Sequence, residues 1–413
     1  LEARLEAVQS RMQAMQAEIE SLQSTITTLK RKQAEQDEIL TIPARSLRAG
    51  KEPGTDAAIE SKYGMRLYGK IKTDVIHDTN DLGTDELILY IPQFADGESQ
   101  TSFTARESRL GIALDGPRFG DWTTSGKLES DFYGSAQSGG SGSLRIRLAY
   151  TELTNGATSI RIGQDWVPVA SMNPSTANFT IMGYAGNLWN RVPQVTVRRQ
   201  FGERVNGLLS VYRYRDSDDV ENLCDTDLQM PWIGGKLGFT PYQAPDGRPA
   251  FVGVSGAWRK GEVNDLSVNP VLLALEFSLP TAFVDLKGEI YWGEGLGPEY
   301  LHQGGAFNTV GHPIETVGGF VQLGLQATDA TRLHLGYGLD DPKDADVLKC
   351  GPANPNFPLA DNFHRKNAYL FGNVTQQLAP GLSTVMEGTW VGTDWSTGDH
   401  DGLRLQGSMV YVW

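Results

Sequence analysis

Residues 403–413 read LRLQGSMVYVW, and this stretch decides the fold. The odd-numbered positions from Leu403 to Trp413 are apolar or glycine, whereas Arg404, Gln406 and Ser408 are polar. Side chains of a β-strand point alternately to opposite faces. The stretch therefore predicts a strand with one apolar wall and one largely polar wall, and the strand ends on an aromatic residue.

The same alternation recurs along most of the chain. From Tyr63 onward we predict sixteen strands, and most of them have about the length that a tilted strand needs to cross a bilayer. Their limits are 64–77, 103–115, 122–134, 144–154, 158–167, 193–201, 205–216, 230–240, 250–262, 269–280, 282–294, 315–328, 330–341, 363–376, 382–395 and 402–413.

Short and long connections between these strands alternate along the chain. Links after even-numbered strands are mostly short, as at 155–157 and 202–204, and links after odd-numbered strands are often long, as at 78–102 and 168–192. Short turns alternating with long loops are typical of outer-membrane barrels. No apolar run reaches the length of a transmembrane helix. We therefore predict an all-β fold, a sixteen-stranded antiparallel transmembrane β-barrel, over residues 63–413.

The first part of the chain has a different pattern. Between Leu1 and Leu29, apolar residues recur at alternating spacings of four and three, which predicts an α-helical coiled coil. A single amphipathic helix lying on the barrel or on lipid is the alternative. We assign residues 1–42 to a periplasmic coiled coil and the Pro/Gly-containing residues 43–62 to a linker. The chain opens directly on the heptads, so we expect the mature form of an exported protein.

The polar faces of strands two to six carry a series of basic side chains. They are Arg109, Lys127, Arg145, Arg147, Arg161 and Arg198. Together they predict a basic wall of the lumen that concentrates small anions, because guanidinium groups bind carboxylate or phosphate through two hydrogen bonds. The alternative is ordinary pairing of these arginines with Asp and Glu across the lumen, which would only stabilise the barrel.

The long link 168–192 contains no Asp or Glu, and Arg191 is its single charge. Its position between strands five and six is where trimeric porins fold a constriction loop into the pore. We expect the polar residues Asn173, Ser175, Thr176 and Asn178 to hydrogen-bond a solute. The aromatic residues Phe179, Tyr184 and Trp189 would narrow the passage.

Charge and cysteine content restrict the partners. The net charge of −14 argues against nucleic acid. Acidic runs at 78–102 and 216–229 predict solvated outer loops; a bound Ca²⁺ bridging their carboxylates is the alternative, although neither run fits an EF-hand. Cys224 and Cys350 predict a disulfide or two free thiols. The histidines lack metal-like spacing and no catalytic motif is present, so we expect no other cofactor, no metal and no enzyme activity.

Three short segments resemble one known family. RLYGKIKTD at 66–74, ARESRLGI at 105–112 and RIGQDW at 161–166, together with the heptad helix and linker, resemble the DcaP-like porins. The resemblance implies a trimeric sixteen-stranded channel of the bacterial outer membrane, with its coiled coil in the periplasm, that takes up dicarboxylates and related anions. Phosphate-selective porins of the O/P type are the nearest rival family. They use lysine clusters for phosphate, whereas this predicted lumen is richer in arginine.

We therefore predict a passive diffusion channel that prefers small anions such as dicarboxylates. A phosphate-selective porin is the first alternative, and an envelope-tethering barrel without an open pore is the second. The expected partners are two further copies in a homotrimer, outer-membrane lipid and lipopolysaccharide, and small anionic solutes. The coiled coil is also expected to offer a contact to peptidoglycan or to a periplasmic protein.

Overall fold

The computed structural model describes residues 63–84, 86–95, 97–134, 142–213, 226–227, 230–263, 265–300, 302, 306–308, 311–347 and 364–413. The coiled coil predicted for residues 1–42, the linker at 43–62, and both Cys224 and Cys350 lie outside the described residues. These parts of the sequence analysis stay predictions.

The described residues form strands that we label β1 to β20 in chain order. The strands are β1 (Met65–Asp78), β2 (Gln100–Thr104), β3 (Arg109–Phe119), β4 (Trp122–Asp131), β5 (Arg145–Asn155), β6 (Thr158–Trp166), β7 (Arg191–Phe201), β8 (Val205–Tyr212), β9 (Thr226–Asp227), β10 (Trp232–Phe239), β11 (Phe251–Trp258), β12 (Gly261–Val263), β13 (Leu266–Val268), β14 (Val271–Pro280), β15 (Val284–Glu294), β16 (Glu315–Gln326), β17 (Thr331–Pro342), β18 (Lys366–Ala379), β19 (Leu382–Trp395) and β20 (Gly398–Val412). A 3₁₀ turn (Gly297–Tyr300) and a short helix α1 (Asp344–Val347) lie in two of the loops.

Seventeen of these strands make one antiparallel sheet that closes on itself. The closure is the pairing of β1 with β20, from Lys70 opposite Val412 to Asp78 opposite Arg404. Strands β2 and β3 both pair with β1 and form one stave of the barrel, interrupted at residues 105–108. The barrel thus has sixteen staves, as predicted from the sequence. Strands β9, β12 and β13 form a separate three-stranded sheet.

The barrel has its apolar surface outside and its polar surface inside. In β20, Leu405 and Met409 are about half exposed, whereas the neighbouring Arg404, Gln406 and Ser408 are buried. The other staves repeat this pattern, with exposed Leu, Ile and Val side chains alternating with buried charged or amide side chains. Such an arrangement fits a barrel surrounded by lipid with a polar lumen.

The two ends of the barrel differ in loop length, as predicted. One end, the short-turn end, carries tight connections such as 120–121 and 202–204, and both β1 and β20 reach it with their outer termini. The other end, the long-loop end, carries the connections 79–99 and 167–190. Residues 240–250 and 396–397 depart from the rule. Among the described residues, no helix is long and apolar enough to cross a membrane.

One predicted loop is not the solvated acidic surface that its composition indicates. Within residues 79–95, which we call the first loop, Leu82, Ile88 and Ile91 are fully buried. They pack on lumen-facing side chains of β16, β18 and β19, so the first loop folds into the barrel. Asp78 is also buried, because Arg404 holds it in an ion pair of 2.6 Å. An irregular loop has no regular spacing of apolar residues. The sequence therefore contained no sign that these three side chains are buried.

Candidate functional site

The connection between β6 and β7, residues 167–190, enters the lumen from the long-loop end; we call it the crossing segment. It is irregular, so its backbone amides find no partners in the barrel sheet. Side chains on the inner wall accept them instead: Ser255 Oγ accepts from Ala170 N at 3.2 Å, and Gln322 Oε1 from Ser175 N at 2.5 Å. Buried amides need such partners, so the wall dictates the path of the segment.

Three buried glutamates are the main anchors of the crossing segment. Glu387 accepts from Ala177 N at 2.6 Å and from the Asn178 side-chain amide at 2.8 Å. Glu289 accepts backbone amides from both legs of the segment, Met172 and Leu188, each at 3.3 Å. Glu276 accepts from Ser171 N and also pairs with Lys236 at 2.9 Å. Removing any one carboxylate would leave amides of the segment unpaired.

The tip of the segment reaches the strands that close the barrel. Ala177 O accepts a hydrogen bond from Lys72 Nζ at 2.6 Å and another from Gln406 Nε2 at 3.2 Å. Ser175 O accepts one from Asn373 Nδ2 at 2.7 Å. Because the other wall contacts lie on β11, β14, β15 and β16, the segment extends along much of the inner wall.

The turn beyond the tip is strained. Ile181, Met182 and Tyr184 have φ angles of 42°, 60° and 70°, in the left-handed region that side chains with a Cβ disfavour. Gly186 has φ of 97°, and a Cβ at this position would lie 2.1 Å from Gly319 O of β16. Only glycine allows this close approach. The surrounding contacts must therefore hold the turn in place.

The polar residues predicted to bind a solute make contacts that hold the segment. Asn178 Oδ1 accepts from Thr180 Oγ1 at 2.9 Å and from Ile181 N at 3.1 Å. The remaining predicted residues show the same use of their polar atoms: Asn173 Oδ1 accepts from Asn187, Ser175 Oγ accepts from Lys287, and Thr176 Oγ1 donates to Asn178 O.

Two of the three predicted aromatic residues of the segment, Phe179 and Trp189, lie beside basic side chains. Phe179 packs on Tyr133 with ring centroids 4.3 Å apart and on Trp189 at 6.0 Å. Trp189 is buried, and its indole N–H donates to Thr180 O at 2.7 Å. Tyr184 belongs to the strained turn and carries the carbonyl that Asn367 binds at 2.7 Å.

The predicted basic side chains lie on the adjacent staves β3 to β7, and three of them form close ion pairs. Arg145 pairs with Asp131 at 2.7 Å. Arg147 is buried and pairs with both Glu129 and Asp131 at 2.8 Å. Arg161 likewise pairs with two carboxylates, Glu152 at 2.8 Å and Asp165. These three arginines thus stabilise the wall, as the alternative in the sequence analysis stated.

Arg109 and Arg198 form no close ion pair. Arg109 is 3.8 Å from Glu107 and Arg198 is 3.9 Å from Asp165, beyond hydrogen-bond distance. Among the described residues, Arg109 Nε, Arg161 Nε, Arg198 Nη1 and Arg191 Nη1 are buried and have no hydrogen-bond partner. Arg191 stacks on Trp166 and Trp189 at 5.1 and 5.2 Å. Lys127 lies 4.8 Å from the ring centre of Tyr68.

A cavity of about 740 Å³ lies between the basic staves and the first leg of the crossing segment. Ser171 and Asn173 line it from the segment. Its charged lining contains more bases than acids, namely Arg161, Arg198, Arg199 and Lys236 against Glu152 and Asp165. Buried donors without partners normally have an unseen water or ion as partner. This space is therefore chemically suited to hold an anion.

The anchoring role of the glutamates was missed by sequence reasoning. Glu276, Glu289 and Glu387 have the lumen-facing spacing of their strands, but the amides that they bind lie about a hundred or more residues away. A usable signal was the combination of acidic lumen positions with a long loop that contains no acid. Carboxylates that lack a nearby base require donors from elsewhere, and a loop backbone can supply them.

The described residues hold no group of three or more His, Cys, Asp or Glu side chains arranged for a metal ion. In the acidic run 78–102, Asp81 Oδ1 accepts from Gly83 N at 2.8 Å, and Glu86 pairs with Arg106 at 3.3 Å. Most of the second acidic run, 216–229, lies outside the described part of the chain. The Ca²⁺ alternative stays a prediction there.

Comparison with known proteins identifies the family. A family model described as DcaP outer membrane protein matches residues 3–224, more than half of the chain. The chain belongs to the DcaP outer membrane protein family. This DcaP-family barrel is similar to the crystal structure of the outer membrane channel DcaP of Acinetobacter baumannii, with 19% identity, a TM-score of 0.73, and coverage of 87% of this chain and 100% of that one.

Two further structures share the fold at lower similarity. Outer-membrane expressed OmpT of Vibrio cholerae is 11% identical, with a TM-score of 0.54 and coverage of 87% of this chain and 100% of that one. OprB of Pseudomonas putida is 10% identical, with a TM-score of 0.55 and coverage of 85% and 94%. No curated protein matches the DcaP-family chain. Family and fold together support an outer-membrane porin.

Proposed function

We propose that this porin is a passive diffusion channel that prefers small anions such as dicarboxylates. The observation that carries the proposal is that the side chains of Arg109 and Arg198 are about a third exposed and lie 3.8 and 3.9 Å from their carboxylate neighbours, beyond hydrogen-bond distance. A passing carboxylate would accept hydrogen bonds from these two guanidinium groups. The planar guanidinium favours carboxylate geometry, and only one lysine lines the adjoining cavity.

The composition of the crossing segment also favours anions. It contains no carboxylate, so nothing on it opposes the basic wall with negative charge. Its glutamate anchors are buried and bound to amides, which reduces their effect on the passage. A solute would pass between guanidinium groups on one side and the aromatic and backbone surface of the segment on the other.

The reversal potential in a KCl gradient tests the proposal directly. With the full chain in a planar bilayer, we expect Cl⁻ to permeate in preference to K⁺ at low salt, and the preference to weaken at 1 M salt, where the Debye length is about 3 Å. A preference for K⁺ at low salt would contradict the proposal. Absence of any steady current would instead favour a tethering barrel.

We also propose a homotrimer oriented with its short-turn end toward the periplasm. The outer termini of β1 and β20 lie at the short-turn end, and the short turns of outer-membrane barrels face the periplasm. A structure of Vibrio cholerae OmpT is described as a trimer form, which supports the assembly. The mass of the detergent-solubilised complex tests it, and a monomer would contradict it.

A further inference from the structure

We propose that the first loop, residues 79–95, is a second constriction element that locks the crossing segment in place and thereby sets the largest solute that the channel passes. This goes beyond the preference for anions, because it concerns size rather than charge. The feature that points to it is an apolar core inside a lumen that is otherwise polar.

The apolar core joins the two loops. Leu82, Ile88 and Ile91 of the first loop pack in one cluster with Met182 and Ala185 of the crossing segment, and all of them are fully buried. Lumen-facing side chains of three staves complete the cluster, namely Phe320, Tyr369, Phe371 and Val391. Large apolar side chains in a water-filled pore gain stability only by covering one another. The first loop therefore occupies lumen space that would otherwise conduct.

A single side-chain amide connects both loops to the wall. Asn367 Nδ2 donates to Leu89 O of the first loop at 2.8 Å and to Tyr184 O of the crossing segment at 2.7 Å. Asn367 Oδ1 accepts from Thr393 Oγ1, which also accepts from Ile91 N at 2.9 Å. The network fixes the position of one loop relative to the other.

The first loop packs against the strained turn of the crossing segment. Met182 and Tyr184, which contact the apolar core and Asn367, are two of the residues with positive φ. A strained backbone persists only where its surroundings over-determine it. Without the first loop, the turn at 181–184 would lose contacts on its long-loop side and could relax away from the wall.

The first loop has its own firm attachment to the barrel rim. Arg404 Nη1 donates to Glu86 O at 2.8 Å while the same guanidinium pairs with Asp78. Trp395 Nε1 donates to Ile91 O at 2.9 Å. These bonds hold the middle of the loop, at Glu86 and Ile91, against β19 and β20. It is thus built as a fixed element of the pore.

The test measures pore size with neutral solutes, so that it does not depend on charge preference. In the Ile88→Ser/Ile91→Ser variant, polar groups would enter the apolar core and release the loop. We expect a higher single-channel conductance, and entry of larger neutral oligosaccharides into proteoliposomes than wild type allows. The Cl⁻/K⁺ preference at low salt should remain, because Arg109 and Arg198 are untouched. Leu266→Ser, at an exposed position of the β12–β13 hairpin, is the matched control.

Folding is checked by the heat-dependent shift of the barrel on a gel. Should the double variant not fold, Asn367→Ala removes the bridge between the loops and leaves the apolar core intact; the expected change has the same direction and a smaller size. A folded variant with wild-type conductance and the wild-type size limit would overturn the proposal. A lower conductance would overturn it as well. If the channel had this size limit but no preference for anions, only the reversal potential would differ from the expected result.

Discussion

Neutralising Arg109 and Arg198 together is the sharpest way to test how this barrel selects ions. Each guanidinium has a carboxylate neighbour, but neither carboxylate depends on it: Asp165 keeps its pair with Arg161, and Glu107 keeps Lys70 and Lys72. The Arg109→Gln/Arg198→Gln variant therefore removes two positive charges without leaving a buried carboxylate unpaired. Replacing Arg145 and Arg147 would not meet this condition, since Glu129 and Asp131 would lose their partners.

The size of the effect follows from Coulomb's law. A monovalent anion about 6 Å from one guanidinium is stabilised by about 0.7 kcal/mol at the dielectric constant of water and by about 3 kcal/mol at an effective dielectric of 20. The side chains of Arg109 and Arg198 are about a third exposed, which favours the lower part of this range. At about 1 kcal/mol per charge, the double variant loses about 2 kcal/mol, or roughly thirty-fold in anion preference.

The assay is the reversal potential across a planar bilayer in a gradient of dilute KCl. Lys260→Gln is the matched control, because it removes an exposed charge in an outer connection away from the basic wall. We expect the double variant to lose most of its Cl⁻ preference while the control keeps it, and the difference should shrink at 1 M salt. An unchanged Cl⁻/K⁺ ratio in the folded double variant would refute the role of these two arginines.

Three further outcomes are expected. Arg147→Gln should lower the stability of the folded barrel by about 3–5 kcal/mol, because Glu129 loses its ion-pair partner and Asp131 keeps only Arg145; an unchanged midpoint of urea unfolding would contradict this. Burial lowers the pKa of His364, which lies near Asp340 and His302, to about 4. The folded state then binds fewer protons than the unfolded state, so the contribution of His364, on the order of 3 kcal/mol, is complete above about pH 6.5 and is lost as the pH falls toward 4. His364→Phe should flatten the stability of the barrel over that range, and a wild-type slope in the variant would exclude this residue as the cause. Thiol labelling of the unreduced, denatured protein should leave Cys224 and Cys350 unreacted if they form the predicted disulfide, and reaction of both would reject it.

The strands of this barrel were readable from the sequence because their causes are local. Period-two alternation, as in residues 403–413, assigns each side chain to lipid or lumen without knowledge of any neighbour. The short links also indicated which strands are neighbours, because two strands joined by a short link can pair only in the antiparallel direction. All sixteen staves were found in this way, and the predicted strand 103–115 covers most of β3 and the last two residues of β2.

The roles of the lumen residues were only partly readable. The sequence placed Arg109, Arg147 and Arg198 on one wall, on staves β3, β5 and β7, but it did not separate Arg147, whose donors are engaged by Glu129 and Asp131, from the two that lie beyond hydrogen-bond distance of a carboxylate. The two cases differ by about 1 Å in the distance from the guanidinium to the nearest carboxylate. Packing and strand bulges set this distance, and the order of residues does not reveal it.

The course of the loops was decided by tertiary structure alone. The sequence identified residues 168–192 as a loop of unusual composition, but Glu387, which binds its tip, is distant in the chain. The first loop looked like an acidic surface, yet three of its large aliphatic side chains are covered by Met182 and by the inner wall. Hydrogen bonds and apolar contacts of this kind form between whichever groups the closed barrel brings within a few ångströms. Their partners exist only once the first and last strands have met.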